Sequence, residues 1–458
     1  MNEKAFSQAL RRGLGGAIIE LKNAEDKVAY REMLLRCCLR DITFDWQVEG
    51  SKGEYLYDAI LASDEPEYFE RCIIERFLSR CPDGLFRQWA EILYLRARDG
   101  SELSHNTLHA KYEYFASKKG RLAKTKTVDE GYQWDEVTFY LLYLDGFTAF
   151  KRYAEDVGQI LIRKPEYQKS YDDWYRRRAE ARFGKKRIES YFNTMYDTSD
   201  AIRALVDMIT AAELAYGRIL ENREEEPLQV CDVIRAAKEA ATDKHPRRRI
   251  LRLQNGSLFA YRATDEQLEE LAQVALLEEN ETVKALLLFQ FRQRPFPLGI
   301  TPLLDYTQSD NELLVEASLC CLEEYKDKRL HDLAIQLLKT KGLGSKALGL
   351  LIKNYQKTDD HSIAELIRKA SRIPHHVQMD IRDIYQNHRS TSVFPLLFHV
   401  YQKGDCSFCR LGIVEAMHHC SVLPDDLLSE CLYDSYDDTR RLARRLIAKR
   451  QKKVEQTR

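Results

Sequence analysis

Apolar residues recur at three- and four-residue intervals along nearly the whole chain, and no stretch alternates apolar with polar positions between hairpin turns. The pattern predicts helices and no sheet. Over residues 264–458 the helices fall into pairs that begin near Thr264, Gly299, Asp327, Thr358, Thr391 and Pro424, spaced 35, 28, 31, 33 and 33 residues apart. One such pair has too little apolar surface to form a core alone, so a series of near-equal pairs predicts that each is covered by the next. The N-terminal third carries a fainter version of the cadence, with helices expected over 50–62, 66–80, 83–98 and 101–117 and a turn at Asp99-Gly100-Ser101.

Within several C-terminal pairs the second helix has one recurring form: an acidic turn residue, a few polar positions, then a small residue opposite large aliphatics. Asp310-Asn311-Glu312-Leu313-Leu314-Val315-Glu316-Ala317 matches Asp405-Cys406-Ser407-Phe408-Cys409-Arg410-Leu411-Gly412, and Asp437-Asp438-Thr439-Arg440-Arg441-Leu442-Ala443 repeats it one residue shorter. The Asp is expected to cap the helix, and the small residue to let the neighbouring helix approach. This form resembles the second helix of HEAT repeats over roughly 264–450. The resemblance implies an all-α fold, a right-handed α-α superhelix of the HEAT/armadillo-like kind built from stacked antiparallel helix pairs. Units near 32 residues are shorter than the usual ~40–47 of that class, and the unit at Thr358 carries its acidic pair, Asp359-Asp360, in the first helix. The spacing would suit tetratricopeptide units better, but their Trp/Gly/Tyr/Ala/Phe/Pro pattern is missing. Further upstream, Tyr30-Arg31 through Cys37-Cys38 to Asp45-Trp46-Gln47-Val48-Glu49-Gly50 is similar to the opening block of unassigned bacterial HEAT-repeat proteins, a likeness that implies no activity.

Repetition therefore divides the chain into N-terminal helical repeats at 1–117, an irregular central helical region at 118–263 and a C-terminal repeat array at 264–458. In the centre, Ser117 to Gly131 is polar and reads as a mobile loop. Residues 163–192 form a basic and aromatic block, a long helix is expected from about Ser199 to Arg223, and Lys244-His245-Pro246-Arg247-Arg248-Arg249 marks a junction.

Charge changes the picture only locally. Lys and Arg (71) balance Asp and Glu (72), so no global field draws the protein to nucleic acid or anionic lipid. The chain opens without a secretory pattern and nowhere has a run of about 18 apolar residues, so no membrane association is expected. Its eleven cysteines, including Cys37-Cys38 and Cys320-Cys321 in apolar helical patterns, suit a reducing compartment. The expected location is the cytoplasm.

Candidate chemistry is sparse. Cys406-Ser407-Phe408-Cys409, followed by His418, His419 and Cys420, has the residue types of a zinc site. Cys409 nevertheless holds a position that aliphatics hold in sister helices, and the downstream spacing is too short for a finger with its own turn, so packing is the preferred account. The adjacent pairs His375-His376 and His418-His419 diverge by about 100° on a helix and cannot chelate jointly. Gly13-Leu14-Gly15-Gly16 lacks the preceding strand and the Lys-Ser/Thr of a phosphate loop, and reads as a flexible turn. Paired acids such as Asp172-Asp173 and Asp425-Asp426 point apart on a helix and suit solvated faces or caps. No nucleophile elbow, kinase set, deaminase signature or His-Glu-x-x-His occurs. No catalytic residue, cofactor or metal is expected.

The basic block carries the functional expectation. Residues 163–192 hold ten Lys/Arg against five Asp/Glu, enough for several phosphate or carboxylate contacts if presented together. Tyr167, Tyr171, Trp174 and Tyr175 share one helical face, most simply core. The candidate partner-binding residues are Trp174, Arg176, Arg177, Arg178, Arg182, Lys185, Lys186 and Arg187, joined by Arg247, Arg248 and Arg249 at the junction. Residues 264–327 are acidic, with 14 Asp/Glu and 4 Lys/Arg, and offer the block a partner within the chain or on another copy. The Arg/Lys-rich end after Arg440 is expected to give the last repeat a polar outer cap. The leading expectation is a non-enzymatic scaffold that presents an extended surface to a protein partner. The alternative is a nucleic-acid-binding solenoid using the basic segment, in the manner of HEAT-like DNA glycosylases, and the third is an enzyme with a dispersed site.

Overall fold

Helix boundaries follow local side-chain chemistry. Asn2 accepts from the Ala5 N–H to open the first helix, Thr264 and Gln267 form a reciprocal capping box, and Asn280, Asn311 and Asp327 each accept backbone N–H groups. The expected caps shift by one residue at two places. Asn311 and Cys406, not Asp310 and Asp405, hold the extended backbone that immediately precedes the helix, and their side chains accept the free N–H groups. Asp405 pairs instead with Arg372 at 3.3 Å.

The computed structural model describes residues 1–79, 83–122, 129–165, 174–221, 229–245, 259, 263–292, 294–340, 342–370 and 372–457. The protein is all-helical, with 26 α-helices and no strand among the described residues. None of these helices is long and apolar enough to cross a membrane. Contacts divide the chain into two units, Met1–Glu224 with Leu428–Arg458, and Glu225–Leu427. The division at 118 and 264 is of another kind, since it marks where the pattern changes and not where packing does.

The first unit contains α1 (Glu3–Arg12), α2 (Gly15–Asn23), α3 (Arg31–Cys38), α4 (Trp46–Glu49), α5 (Gly53–Ala62), α6 (Pro66–Leu78) and α7 (Asp83–Arg98). It continues with α8 (Glu102–Leu122), α9 (Asp129–Leu144), α10 (Phe147–Arg163), α11 (Trp174–Phe183), α12 (Lys185–Tyr196) and α13 (Asp200–Glu221). α2 packs on α5, α5 on α7, α7 on α9, α9 on α10, and α10 on α13. Fully buried Trp134 anchors the middle of this row, 5.8 Å from the Tyr112 ring and 4.8 Å from the Tyr153 ring. Where a loop was expected from Ser117, α8 continues to Leu122; Lys, Arg and Leu are good helix formers and outweigh the lone Gly120. Residues 123–128 of that loop lie outside the described residues. Cys37 and Cys38 are buried as expected, and burial pushes the Cys37 thiol up to about 11.

The end of the chain returns to this unit. Cys431–Tyr433 packs on α2, the Ser435 N–H donates to the Gly13 carbonyl at 2.9 Å, and Lys22 lies 4.0 Å over the Tyr433 ring. Gly13–Gly16 is thus no flexible turn. Gly13 closes α1 at φ 74°, and a Cβ on Gly15 would stand 2.0 Å from the Glu430 carbonyl oxygen. The last helix keeps Arg441, Arg444, Arg445 and Lys449 exposed. Leu442, Ala443 and Leu446 are buried, and so is Arg440.

The second unit contains α14 (Val230–Ala241), α15 (Asp265–Leu277), α16 (Glu281–Leu288), α17 (Thr301–Tyr306), α18 (Glu312–Leu322) and α19 (Lys328–Leu337). α20 (Gly344–Asn354), α21 (Asp360–Lys369), α22 (His375–Asn387), α23 (Phe394–Lys403) and α24 (Ser407–His419) complete it, before α25 (Asp425–Glu430) and α26 (Asp437–Thr457) lead out. The second members of successive pairs touch in order, α16 on α18, α18 on α20, α20 on α22 and α22 on α24. Their first members lie alongside: α15 packs on α16, α17 on α18, α19 on α20 and α23 on α24. Small residues admit these approaches: Gly349 faces Glu323, and Gly412 faces the stem of Arg382.

Candidate functional site

α9 presents Phe139 and Tyr143 four residues apart, and α11 presents Trp174, Arg178 and Arg182 at the same interval, so each set forms a row along one helix face. The two rows meet. The Trp174 ring lies 5.4 Å from Phe139, the Arg178 guanidinium 5.6 Å from Phe139 and 5.2 Å from Trp174, and the Arg182 guanidinium 4.5 Å from Tyr143. Arg182 also donates to the Tyr143 carbonyl at 3.3 Å. Arg187, in the first turn of α12, extends the series at 4.4 Å from Phe147 and 5.7 Å from Phe183. A ring holds a guanidinium by its face and leaves its N–H edge for another acceptor, a contact worth about 0.5–1 kcal/mol at an exposed site. All three arginines are exposed, and none pairs with a carboxylate among the described residues.

The other candidates divide by role. Arg176 is drawn inward, pairing with Glu180 at 3.1 Å and with Glu213 on α13 at 2.7 Å. Lys185 lies 3.7 Å from Glu189, whereas Arg177 and Lys186 are exposed. Trp174 is half-buried beneath Arg178. Tyr175 and Ala179 turn to the core, with the Tyr175 ring 4.1 Å from Tyr153. Tyr167, Tyr171, Asp172 and Asp173, and the junction arginines Arg247, Arg248 and Arg249, lie outside the described residues.

Three acids hold their protons near neutrality. Burial pushes Glu91 up to about 7 and Asp380 up to about 7. Burial and the neighbouring charge of Asp380 push Glu323 up to about 8. Such acids suit proton transfer. Neither member of the Glu323–Asp380 pair lines the second unit's cavity of about 540 Å³ bordered by Leu338, Gly344, Leu366, Lys369 and Pro374, or the smaller one beside Ala364 and His399.

Among the described residues, two clusters have the donors to hold a metal. His375, Cys406 and Cys409 bring their ligand atoms within 4.8 Å of one another, as do His105, His109 and Asp145. In the second cluster Asp145 lies 2.7 Å from His105 and 2.9 Å from His109, so the carboxylate alone accounts for the arrangement. Its signal in the sequence is His-x-x-x-His on one helix, which the sequence reading passed over. In the first cluster the third residue is not one of the downstream candidates. The Cys420 thiol faces the Tyr385 and His388 carbonyls, at 3.5 and 3.8 Å. His375 comes from the preceding helix pair.

No protein-family model and no curated protein matches this chain. Among solved structures, an engineered protein from the Northeast Structural Genomics Consortium is similar over 98% of this chain and 98% of its own, at 12% identity and a TM-score of 0.29. A score that low carries no argument about architecture or activity.

Proposed function

We propose that the protein is a non-enzymatic interaction scaffold of the HEAT/armadillo-like kind, and that the α9–α12 surface of its first unit receives an acidic segment of a protein partner. The observation that carries this reading is the contrast among its arginines. Arg176 is neutralised by Glu180 and Glu213, while Arg178, Arg182 and Arg187 are exposed and rest on rings without a carboxylate partner among the described residues. Holding the side chains in place reduces the ordering cost of binding, and a planar guanidinium suits two-point contact with a carboxylate. The succession of helix pairs in the second unit supports the repeat architecture, and its near-constant spacing supports a common unit.

A second reading, binding to nucleic acid, draws on Tyr143, which is 36% exposed beside Arg182 and could stack on a base. A fluorescent glutamate-rich peptide and a short mixed-sequence duplex, each titrated at several salt concentrations, separate the two. The expected result is peptide binding that is lost in R178E/R182E/R187E while circular dichroism stays unchanged. Tight duplex binding with a steep salt dependence would transfer the surface to the second reading, and peptide binding unaffected by the triple reversal would remove it from both.

A further inference from the structure

Cys406 and Cys409 are met by a histidine from upstream in the chain. Cys406 is the N-cap of α24 and Cys409 its third residue, so both thiols stand at the same end of one helix. α22 packs on α24, and its first residue, His375, places Nδ1 3.2 Å from the Cys409 sulfur. The two cysteines are 0% and 2% exposed, and His375 is half-buried. Packing alone does not require this convergence, because a thiol that merely fills space needs no imidazole nitrogen beside it.

The start of α24 fixes where both thiols point. Both thiols sit at a helix N-terminus, where the backbone dipoles stabilise negative charge. The Cys409 N–H donates to the Cys406 sulfur at 3.4 Å, and such outer contacts orient a ligand and tune its basicity.

We propose that His375, Cys406 and Cys409 form a binding site for a divalent cation of the zinc class, with water completing a tetrahedral Cys2His set. Two sulfurs and an imidazole select a borderline-soft ion and disfavour magnesium or calcium, which prefer oxygen. Each protonated thiol gives up its proton to solvent as the metal binds. The site joins α22 to α24 and so links consecutive helix pairs within the second unit, independently of any partner at α9–α12.

The test uses the full chain, purified under reducing conditions without a metal-affinity step. Elemental analysis is expected to find one zinc per chain. Cobalt added to the chelator-stripped protein should give the intense visible bands of a tetrahedral site and a near-ultraviolet thiolate-to-cobalt band. C406S/C409S should lose both signals, H375A should bind cobalt at least about 100-fold more weakly, and C420S should bind as the wild type does. The wild-type spectrum requires no variant, so a substitution that fails to fold leaves the test intact. A wild-type protein that arrives without zinc and gives no thiolate-to-cobalt band overturns the proposal, and so does a folded C406S/C409S variant that binds cobalt with wild-type affinity.

Discussion

Arg440 donates to Glu54 at 2.7 Å across 386 residues of sequence, and reaches Asp58 on the same helix at 3.9 Å. The Arg440 side chain is 5% exposed and that of Glu54 55% exposed, so a buried cation is tied to a partly solvated anion. R440A is expected to lower the unfolding free energy by about 1–2 kcal/mol, the attraction being screened on the Glu54 side. E54Q should cost less, since Asp58 remains. Urea denaturation of the two variants checks both values, and an R440A loss below about 0.5 kcal/mol would mean that the contact is incidental.

Close helix approach makes a second prediction. A Cβ on Gly158 would meet the Ala201 carbonyl oxygen at 2.0 Å, where α10 crosses α13, and a backbone atom cannot swing aside as a side-chain end can. G158A should therefore destabilise the first unit by about 1–3 kcal/mol, despite the higher helix propensity of alanine. Thermal denaturation followed by circular dichroism should register the loss. An unchanged or raised midpoint would show that the helices can separate without cost.

Lys111 is 5% exposed, yet its ammonium is bonded: Nζ donates to the Phe77 carbonyl at 2.7 Å and to the Ser79 carbonyl at 3.3 Å. It thereby satisfies carbonyls at the end of α6 that have no helical partner. K111M keeps the stem and removes the donor, and should cost about 2–3 kcal/mol. Hydrogen exchange should accelerate chiefly around residues 70–79. Acceleration spread evenly over the first unit would argue against a local capping role.

Glu323 and Asp380 predict a dependence on pH. An acid whose folded pKa lies above its unfolded value binds its proton more readily when folded, so stability falls as pH rises from the ordinary carboxylate range to the raised value and is level beyond it. With Glu323 pushed to about 8 and Asp380 to about 7, the second unit should lose stability between about pH 4 and 8. E323Q mimics the protonated form and should flatten that fall, matching the wild type near pH 5 and exceeding it at pH 8. Urea midpoints across this range decide the matter. Parallel curves for the two proteins would place the titration elsewhere.

The helices and most of their ends were legible in the sequence, because periodicity and capping act within a few residues. The expected starts at Thr264 and Asp327 became caps as they stood, and the other helix pairs begin within a few residues of the places the pattern marks. The arginines of the candidate surface were legible as a cluster, but not their division. That Arg176 would find Glu213, and Arg182 the ring of Tyr143, depends on which faces of α9, α11 and α13 meet. The metal-capable set was half legible, since the Cys-x-x-Cys spacing is local and its histidine lies 34 residues from Cys409.

The sequence by itself determined that the chain is helical, where most of its helices begin and where a basic, aromatic stretch lies, since periodicity, capping and local composition act within a few residues. Only tertiary structure decided that Arg440 returns to Glu54, that Gly15 seats the Glu430 carbonyl and that His375 joins Cys406 and Cys409. Those meetings depend on which helix faces come together inside each unit, over separations that local periodicity does not encode. Each side chain in them has several equally good partners by type, and the packed backbone selects one.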